Sequence, residues 1–394
     1  MFGIYIHIPF CLKKCAYCDF HSLAMKADDV PQKEYAMAVC EEIEKQAALR
    51  NLRNKKVESI YFGGGTPTLL EIKYLELILN SIRKNFAVAD NAEITIEANP
   101  ETLTIEPSHT TTASAGRPYR TIAQNFNRLS IGVQTFNDKH LKTLGRIHSA
   151  ETAKKAITAA SDAGFKNISI DLMWGLPEQT INEMETDIEE ALKFGVQHIS
   201  AYQLTIDENL KGPCKMWKLP DDELSRRMWL LAHDRLVAAG YEHYEISNFA
   251  ADRYAPLGLS MTQKFRCKHN LNYWRYGEWL GLGSGASSFL TEGVTSLHLT
   301  TAKNIPQYLR RDFTYEIEEI SQKTAMTEYS FLALRTFEGI YLNDFKNRFS
   351  KEFNAAYPNL SKEWIKNGLA RLDGNRLSLT IDGMLISNEL FGRL

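Results

Sequence analysis

The sequence lacks the features that mark several large classes of protein. No apolar run reaches the about 18 residues that a membrane-spanning helix needs. Residues 1–9 contain neither a basic stretch nor a small-residue cleavage site, so we expect a strand there rather than a signal peptide, and a cytoplasmic location. The net charge is only −2, which argues against nucleic acid as a partner. Peripheral contact with a membrane and the oligomeric state are left open.

Cysteine is scarce and unevenly distributed. Three of the six cysteines fall within eight residues and three are scattered: Cys11, Cys15, Cys18, Cys40, Cys214 and Cys267. A disulfide framework does not take this form in a long chain without a signal peptide. The clustered thiols therefore indicate a metal site, and we expect the scattered ones at Cys40 and Cys214 to have no part in it.

Short β-branched runs alternate with longer segments of helical periodicity along most of the chain. The candidate strands are Gly3–Ile8, Glu58–Phe62, Glu93–Glu97, Arg128–Gln134, Asn167–Met173 and His198–Leu204, with Glu242–Ile246 as a candidate seventh. The candidate helices between them are Gln32–Leu52, Leu69–Phe86, Ala150–Ala163, Thr180–Phe194 and Asp221–Ala239. This alternation predicts parallel βαβ units, and six such units would form a complete or incomplete barrel.

Two regions depart from this rhythm. Ile105–Phe126 is polar and rich in turn residues, so we expect a loop or a poorly ordered insertion where a helix was due. After Leu290 the pattern predicts three helices and a small hairpin: Lys323–Phe337, Leu342–Phe349, Leu360–Gly368, Leu369–Leu372 and Arg376–Leu379. We therefore expect an α/β protein, with the barrel in residues 1–290 and a winged-helix-like domain in residues 291–394. That domain carries no basic stripe, which favours a structural role.

The segment Cys11-Leu-Lys-Lys-Cys15-Ala-Tyr-Cys18 has the spacing C-x3-C-x2-C. Three thiolates on a short loop can bind three irons of a [4Fe–4S] cluster and leave the fourth iron without a protein ligand. The alternative is a zinc site of three cysteines and one histidine, with His7 or His21 as the fourth ligand.

Polar or glycine-rich segments follow several of the predicted strands. Gly63–Pro67 follows the second strand, and three successive glycines there would let a ligand approach the backbone. Glu97 and Gln134 end the next two strands, and Asp171 lies in the fifth. Each could be a simple turn or helix cap. In a parallel barrel, however, the carboxyl ends of the strands form the active face, and the cysteine loop opens onto that same face.

Several of these segments together resemble one family. They are Tyr5-Ile-His-Ile-Pro-Phe-Cys11, the cysteine triplet, Gly63–Pro67, Glu97-Ala-Asn-Pro100, Asn127-Arg-Leu-Ser-Ile-Gly-Val-Gln134 and Gly145-Arg146. The combination resembles the radical S-adenosylmethionine (SAM) coproporphyrinogen III oxidase superfamily over nearly the whole chain. The resemblance implies an incomplete (β/α)6 barrel that carries a cluster, followed by a small C-terminal domain. The Ile105–Phe126 segment departs from the family pattern, and its role is left open.

The resemblance also implies roles for individual residues. Cys11, Cys15 and Cys18 would hold the [4Fe–4S] cluster, and SAM would bind the open iron through its amino and carboxylate groups. Arg146 would pair with the SAM carboxylate. The methionine end of SAM would contact Tyr5, Tyr17, Gly64, Thr66 and Glu97. The ribose hydroxyls would bind Gln134 and Asp171.

Two segments resemble the haem-chaperone branch of this superfamily rather than the true oxidase. The oxidase has a fourth cysteine two residues after the third, where this chain has Phe20. His269-Asn-Leu-Asn-Tyr273-Trp274 resembles the H-N-x-x-Y-W haem-binding motif of the chaperones. An imidazole is a common axial ligand of haem iron, and aromatic side chains can pack on a porphyrin. The alternative is a hydrogen-bonded packing histidine with core aromatics, and Cys267 is an optional thiolate ligand.

Three functions are therefore weighed. The first is a haem chaperone that binds a cluster, SAM and haem and passes haem to haem-accepting proteins, with no turnover required. The second is an oxygen-independent coproporphyrinogen III oxidase, which would decarboxylate two propionates through a 5′-deoxyadenosyl radical. The third is a zinc-stabilised regulatory protein. Phe20 and the His269 motif favour the first. The recipient of the haem and the cleavage of SAM are left open.

Overall fold

The computed structural model describes residues 1–104, 117–252, 264–293 and 295–394. Its strands are β1 (Phe2–Ile8), β2 (Phe10–Cys11), β3 (Leu23–Ala24), β4 (Lys56–Gly64), β5 (Ala87–Ala98), β6 (Arg128–Gln134), β7 (Ile168–Trp174), β8 (His198–Gln203), β9 (Tyr241–Glu245), β10 (Asn248–Ala251), β11 (Glu278–Leu282), β12 (Ser287–Glu292), β13 (Thr295–Thr301), β14 (Tyr315–Ile320), β15 (Ile340–Tyr341), β16 (Ala370–Asp373) and β17 (Arg376–Leu379).

The α-helices are α1 (Gln32–Leu49), α2 (Ile72–Asn85), α3 (Pro100–Thr104), α4 (Arg117–Asn125), α5 (Asp138–Leu144), α6 (Ala150–Asp162), α7 (Ile181–Lys193), α8 (Asp222–Ala238), α9 (Lys268–Trp274), α10 (Ile305–Leu309), α11 (Gln322–Leu334), α12 (Leu342–Phe349), α13 (Phe353–Ala356), α14 (Leu360–Lys366), α15 (Ile381–Leu385) and α16 (Ser387–Phe391). None of the described helices is both long enough and apolar enough to cross a membrane.

One twelve-stranded sheet organises most of the molecule. Its order is β14-β13-β12-β11-β1-β4-β5-β6-β7-β8-β10-β9. The strands from β11 through β8 are parallel, whereas the strands at both edges are antiparallel. Six of these seven parallel strands, namely β1, β4, β5, β6, β7 and β8, form the predicted incomplete (β/α)6 barrel. This expectation of the fold is confirmed.

The alternation in β1 shows why the barrel has a polar interior. Phe2, Ile4, Ile6 and Ile8 are buried in the core against the helices. Because successive side chains point to opposite faces of a strand, the residues between them share the other face. A Cβ atom on Gly3, which is on that face, would lie 3.3 Å from the His269 ring. The barrel interior is thus free to carry polar side chains, while the outer face supplies the hydrophobic core.

Local capping sequences fix two of the helices beside the active face. Asn137 caps α5, and its side chain accepts a hydrogen bond from the Lys139 amide. Gly145 ends that helix with φ of 78°, a left-handed conformation that glycine adopts without steric cost. Thr180 and Glu183 form a reciprocal capping box at the start of α7.

Some expectations for the segments outside the barrel were wrong. The candidate seventh strand is β9, an antiparallel edge strand paired with β10 rather than a further parallel strand. The sequence patterns did not predict β11 to β14 at the opposite edge. Of the segment expected to be a loop, residues 117–125 form α4, while residues 105–116 lie outside the described residues.

The C-terminal part consists of α11 to α16 and a small antiparallel sheet of order β15-β17-β16. Helices α11, α12 and α14 and the hairpin of β16 and β17 match the expected segments, whereas α13, α15, α16 and the short strand β15 were not predicted. The division at residue 290 stays a prediction. Strand β12 runs across that position, and the main sheet continues to Ile320.

Candidate functional site

The three clustered cysteines lie in one loop at the carboxyl end of the barrel strands. Cys11 is buried at the end of β2, whereas Cys15 and Cys18 are partly exposed in the following loop. Short pairing of β2 with β3 closes the loop, and the Ala16 amide donates to the Leu144 carbonyl at 3.1 Å. All six cysteines of the chain are free thiols. The loop therefore holds three thiols at a partly open surface.

A chain of polar contacts connects two of these thiols across neighbouring strands. The Thr66 hydroxyl donates to Cys11 Sγ at 3.6 Å, and Asn99 Nδ2 donates to Thr66 Oγ1 at 2.9 Å. Arg146 Nη2 donates to Asn99 Oδ1 at 2.6 Å, and its Nη1 donates to Cys15 Sγ at 3.5 Å. Thr66, Asn99 and Arg146 thus form one hydrogen-bonded link between the sulfur atoms of Cys11 and Cys15. This surrounding suits a cluster ligand set.

His7 and His21, the two candidate fourth ligands of a zinc ion, already have hydrogen-bond partners. His7 Nδ1 lies 3.0 Å from the Tyr5 hydroxyl, and His7 Nε2 donates to the His21 carbonyl at 2.8 Å. His21 Nε2 lies 3.3 Å from Ser284 Oγ. Within the described ranges, no three histidine, cysteine or carboxylate side chains converge closely enough to hold a single metal ion. A [4Fe–4S] cluster instead takes its thiolates on separate irons.

Glu97 lies at the end of β5, beside the glycine-rich turn. Its Oε1 accepts from the Tyr61 hydroxyl at 2.7 Å, and its Oε2 accepts from the Gly64 amide at 3.1 Å. Burial raises the pKa of Glu97 to about 7, although the hydrogen bond from Tyr61 lowers it. When ionised, this buried carboxylate can accept hydrogen bonds from the amino group of a ligand such as SAM.

The other predicted SAM residues are distributed around the same strand ends. Gln134 ends β6 with φ of 70°, and its Oε1 accepts from Tyr202 at 2.6 Å. Asp171 Oδ1 accepts from Ser130 at 3.2 Å, and burial raises the pKa of Asp171. Tyr17 packs against the apolar cluster that contains Leu144, and burial raises its pKa although the positive charge of Arg146 opposes that rise.

The predicted haem residues divide between two places. His269 is fully buried inside the barrel: its Nδ1 lies 3.0 Å from Ser59 Oγ, and its Nε2 lies 2.7 Å from the Tyr273 hydroxyl. Burial, reinforced by the positive charge of Arg128, lowers the pKa of His269 to about 3, so the imidazole is neutral. Both ring nitrogens are engaged. In this arrangement His269 does not offer a free nitrogen to haem iron.

Trp274 lies apart from His269 and Tyr273, although it belongs to the same helix. It packs with Tyr244 and Leu271, and the Arg335 guanidinium lies 4.8 Å from its ring centroid. Cys267 is buried and burial raises its pKa to about 12, with its Sγ 3.5 Å from Glu93 Oε1. The structure therefore places the optional thiolate ligand in a neutral, buried state.

Three side chains with a clear place in the site were not predicted from the sequence. Tyr61 links Glu97 to His269, because its ring stacks on the imidazole with a centroid distance of 5.0 Å. Asn99 joins Thr66 to Arg146. Arg128 is fully buried in the barrel and its Nη2 donates to His198 at 3.3 Å. Strand parity could have found Tyr61, since it shares a face with Gly63.

Most of the chain is similar in sequence to known protein families and to named relatives. The chain matches the sequence pattern of the Radical SAM superfamily over residues 5–191 and that of the HemN C-terminal domain over residues 320–386. It is 36% identical over 370 residues to a protein of Haemophilus influenzae named heme chaperone HemW, covering 93% of this chain and 88% of the relative. It is 32% identical over 399 residues to a protein of the same name in Bacillus subtilis, covering 100% and 98%.

A solved structure shares the fold. Coproporphyrinogen III oxidase (HemN) from Escherichia coli superposes with a TM-score of 0.79 at 22% identity, covering 100% of this chain and 89% of that chain. This likeness supports the barrel and the C-terminal helical domain described above.

Proposed function

The chain belongs to the family of the heme chaperone HemW within the radical SAM superfamily, and from this membership we propose that it is a haem chaperone. It would bind a [4Fe–4S] cluster, SAM and haem, and pass haem to haem-accepting proteins. The observation that carries the proposal is identity of 36% over 93% of the chain to a relative of that name, together with the H-N-x-x-Y-W helix α9.

The residues at the carboxyl ends of the strands fit the cluster and SAM. Cys11, Cys15 and Cys18 would take one iron each, and Arg146 would help to position the Cys15 sulfur through the contact at 3.5 Å. Glu97 would accept a hydrogen bond from the SAM amino group, with Gln134 and Asp171 on the ribose. When bound and reduced, the cluster can supply the electron that cleaves SAM. What this chain itself does is to orient the three thiols and keep buried carboxylates at the strand ends.

We propose that His269 binds haem iron only after its imidazole has moved from its present position. The imidazole would have to leave both Ser59 and the Tyr273 hydroxyl before either ring nitrogen could bind iron. Two hydrogen bonds of ordinary strength stabilise its present position by about 1–3 kcal/mol together. A ligand as strong as haem iron could offset a cost of that size.

The oxidase is the second candidate, supported by the shared fold of HemN. The position two residues after Cys18 argues against it, because Phe20 supplies no thiol and its side chain is 62% exposed beside the cysteine loop. The true oxidase pattern has a fourth cysteine there. We therefore favour the chaperone.

One anaerobic experiment tests the proposal. Reconstituted protein is given ferric haem and coproporphyrinogen III in separate reactions, the latter with SAM and a reductant. We expect a Soret band from bound haem, transfer of that haem to an apo-haem protein, and no protoporphyrinogen IX. Multiple turnover of coproporphyrinogen III would assign the chain to the oxidase. Absence of haem binding would refute the chaperone function.

A further inference from the structure

A surface cavity of about 530 Å³ lies between α9 and the C-terminal helices. Its walls come from the end of α9, from α11, from the turn that follows α11 and from α12. The lining includes Trp274, Tyr329, Glu338, Tyr341, Asp344 and Arg348. Its size falls in the range of small-molecule sites. It is distinct from the cysteine loop and from the barrel interior.

Three aromatic residues form much of this lining. Trp274 comes from the H-N-x-x-Y-W segment, Tyr329 is buried in α11, and Tyr341 is 43% exposed at the cavity wall. These aromatic side chains give the lining apolar area on which a flat ring can pack.

Of the two arginines that line the cavity, Arg275 has a carboxylate partner and Arg348 has none among the described residues. Glu338 accepts from both Arg266 at 2.7 Å and Arg275 at 3.0 Å, and Arg266 also pairs with Glu242. Arg348 has no carboxylate within ion-pair distance in the part of the chain that the structure describes. Its Nη1 donates only to the Tyr276 carbonyl at 3.3 Å, and its guanidinium lies 5.4 Å from the Tyr329 ring centroid.

Asp344 is the other charged residue at this wall. It precedes Arg348 by one helical turn on α12, a spacing that allows an ion pair, yet no such pair forms in the described structure. The guanidinium of Arg348 is therefore available to an anion from outside the chain. Guanidinium groups bind carboxylates through two parallel hydrogen bonds.

From these observations we propose that the cavity is a porphyrin-docking site, where the tetrapyrrole ring lies among Trp274, Tyr329 and Tyr341 and a propionate binds Arg348. The inference rests on the proposed haem function and adds a site separate from His269. None of the lining residues named above is a histidine, cysteine or methionine. Recognition here depends on the ring and its carboxylates and not on the iron, so metal-free porphyrin binds as haem does.

The test titrates the full-length protein with metal-free protoporphyrin IX and with its dimethyl ester, which lacks the two carboxylates. Wild-type protein binds the free acid more tightly than the ester. Arg348→Gln weakens binding of the free acid by about tenfold or more, the loss of one charge-assisted hydrogen-bond pair, and leaves ester binding unchanged. Lys346→Gln, on the same helix but outside the lining, is the control and binds both as wild type does.

A second variant tests the same cavity in case Arg348→Gln does not fold. Asn347→Trp fills the cavity from an exposed position and blocks both porphyrins, whereas Lys346→Trp leaves them unaffected. Equal binding of the free acid by wild type, Arg348→Gln and Asn347→Trp would overturn the cavity site. If ferric haem still binds in that case, only this inference fails. If wild-type protein binds neither haem nor porphyrin, the chaperone function fails with it.

Discussion

The hydroxyl of Tyr61 donates a hydrogen bond to the Glu97 carboxylate at 2.7 Å. The same tyrosine ring stacks on His269 with an interplanar angle of 26°. One side chain in the barrel therefore contacts both a proposed SAM residue and the proposed haem ligand. Any change in the ionisation of Glu97 acts directly on a group that packs against helix α9.

The proposed contact between Glu97 and SAM predicts a pH-dependent affinity. The pKa of Glu97 is raised to about 7 by burial, so the carboxyl is largely neutral below that pH and ionised above it. The N–H groups of the SAM amine favour the ionised form, because the carboxylate is the stronger hydrogen-bond acceptor. SAM affinity should therefore rise from about pH 6 to about pH 8, with a limiting slope of tenfold per pH unit on the acid side. Equilibrium binding of SAM to the reconstituted protein across this range measures it.

Two variants control this prediction. Glu97→Gln should weaken SAM binding and remove its pH dependence between these limits. Tyr61→Phe keeps the ring on His269 but removes a hydrogen bond that lowers the pKa of Glu97. The midpoint of the pH profile should then move to higher pH. A flat profile in wild-type protein would show that Glu97 does not bind the SAM amino group.

Strand parity explains how much of this site could be predicted from the sequence. Glu97 and Gln134 stand at predicted strand ends, and the parallel barrel brings such ends to one face. Tyr61 shares the inward face with Gly63, but a tyrosine in a strand is equally typical of a core. The position of His269 could not be predicted from local sequence patterns, because its ring contacts Ser59, which lies 210 residues away in the sequence. Strand β14 was missed because most of its residues are exposed and only Ile320 is buried.

The loop that holds Cys11, Cys15 and Cys18 predicts which of the six cysteines are needed for the cluster. Replacing Cys11, Cys15 or Cys18 by Ala should abolish reconstitution of roughly four iron and four sulfide per chain. Replacing Cys40 or Cys214, which lie outside the loop, should not change these contents. Iron and acid-labile sulfide analysis of anaerobically reconstituted protein measures the outcome. Stoichiometric zinc without sulfide would support the zinc alternative instead.

Gly64 is needed for the stability of the fold itself, independently of any contact with SAM. Its φ is 108°, and a Cβ atom there would lie 2.5 Å from the ring of His7. Gly64→Ala should therefore lower the free energy of unfolding by more than the about 1–3 kcal/mol of backbone strain alone. Gly164 is a matched control, because its φ is 101° and a Cβ atom there would have no neighbour within 4 Å among the described residues. Thermal unfolding of the two alanine variants compares them, and equal losses would show that contact with His7 is not limiting.

The last prediction concerns the two hydrogen bonds of His269. If the imidazole leaves the barrel to bind haem iron, its release is opposed by the Tyr273 hydroxyl at 2.7 Å. Tyr273→Phe keeps the aromatic ring and removes that tether, which is worth about 1 kcal/mol, so haem binding should tighten by roughly fivefold. His269→Ala should shift the Soret band and speed haem loss, with some affinity remaining because porphyrin burial is largely hydrophobic.

Ferric haem titration and dissociation kinetics measure both variants against wild-type protein. Unfolding measurements on the haem-free variants separate the ligand role from a packing role. His269→Ala removes a fully buried ring and leaves the Ser59 hydroxyl without its partner, so it should destabilise the protein whether or not haem binds. Only the ligand role also changes the Soret band. If the spectrum and the dissociation rate stay as in wild type, His269 is not the ligand, and the buried thiol of Cys267 is the next group to test.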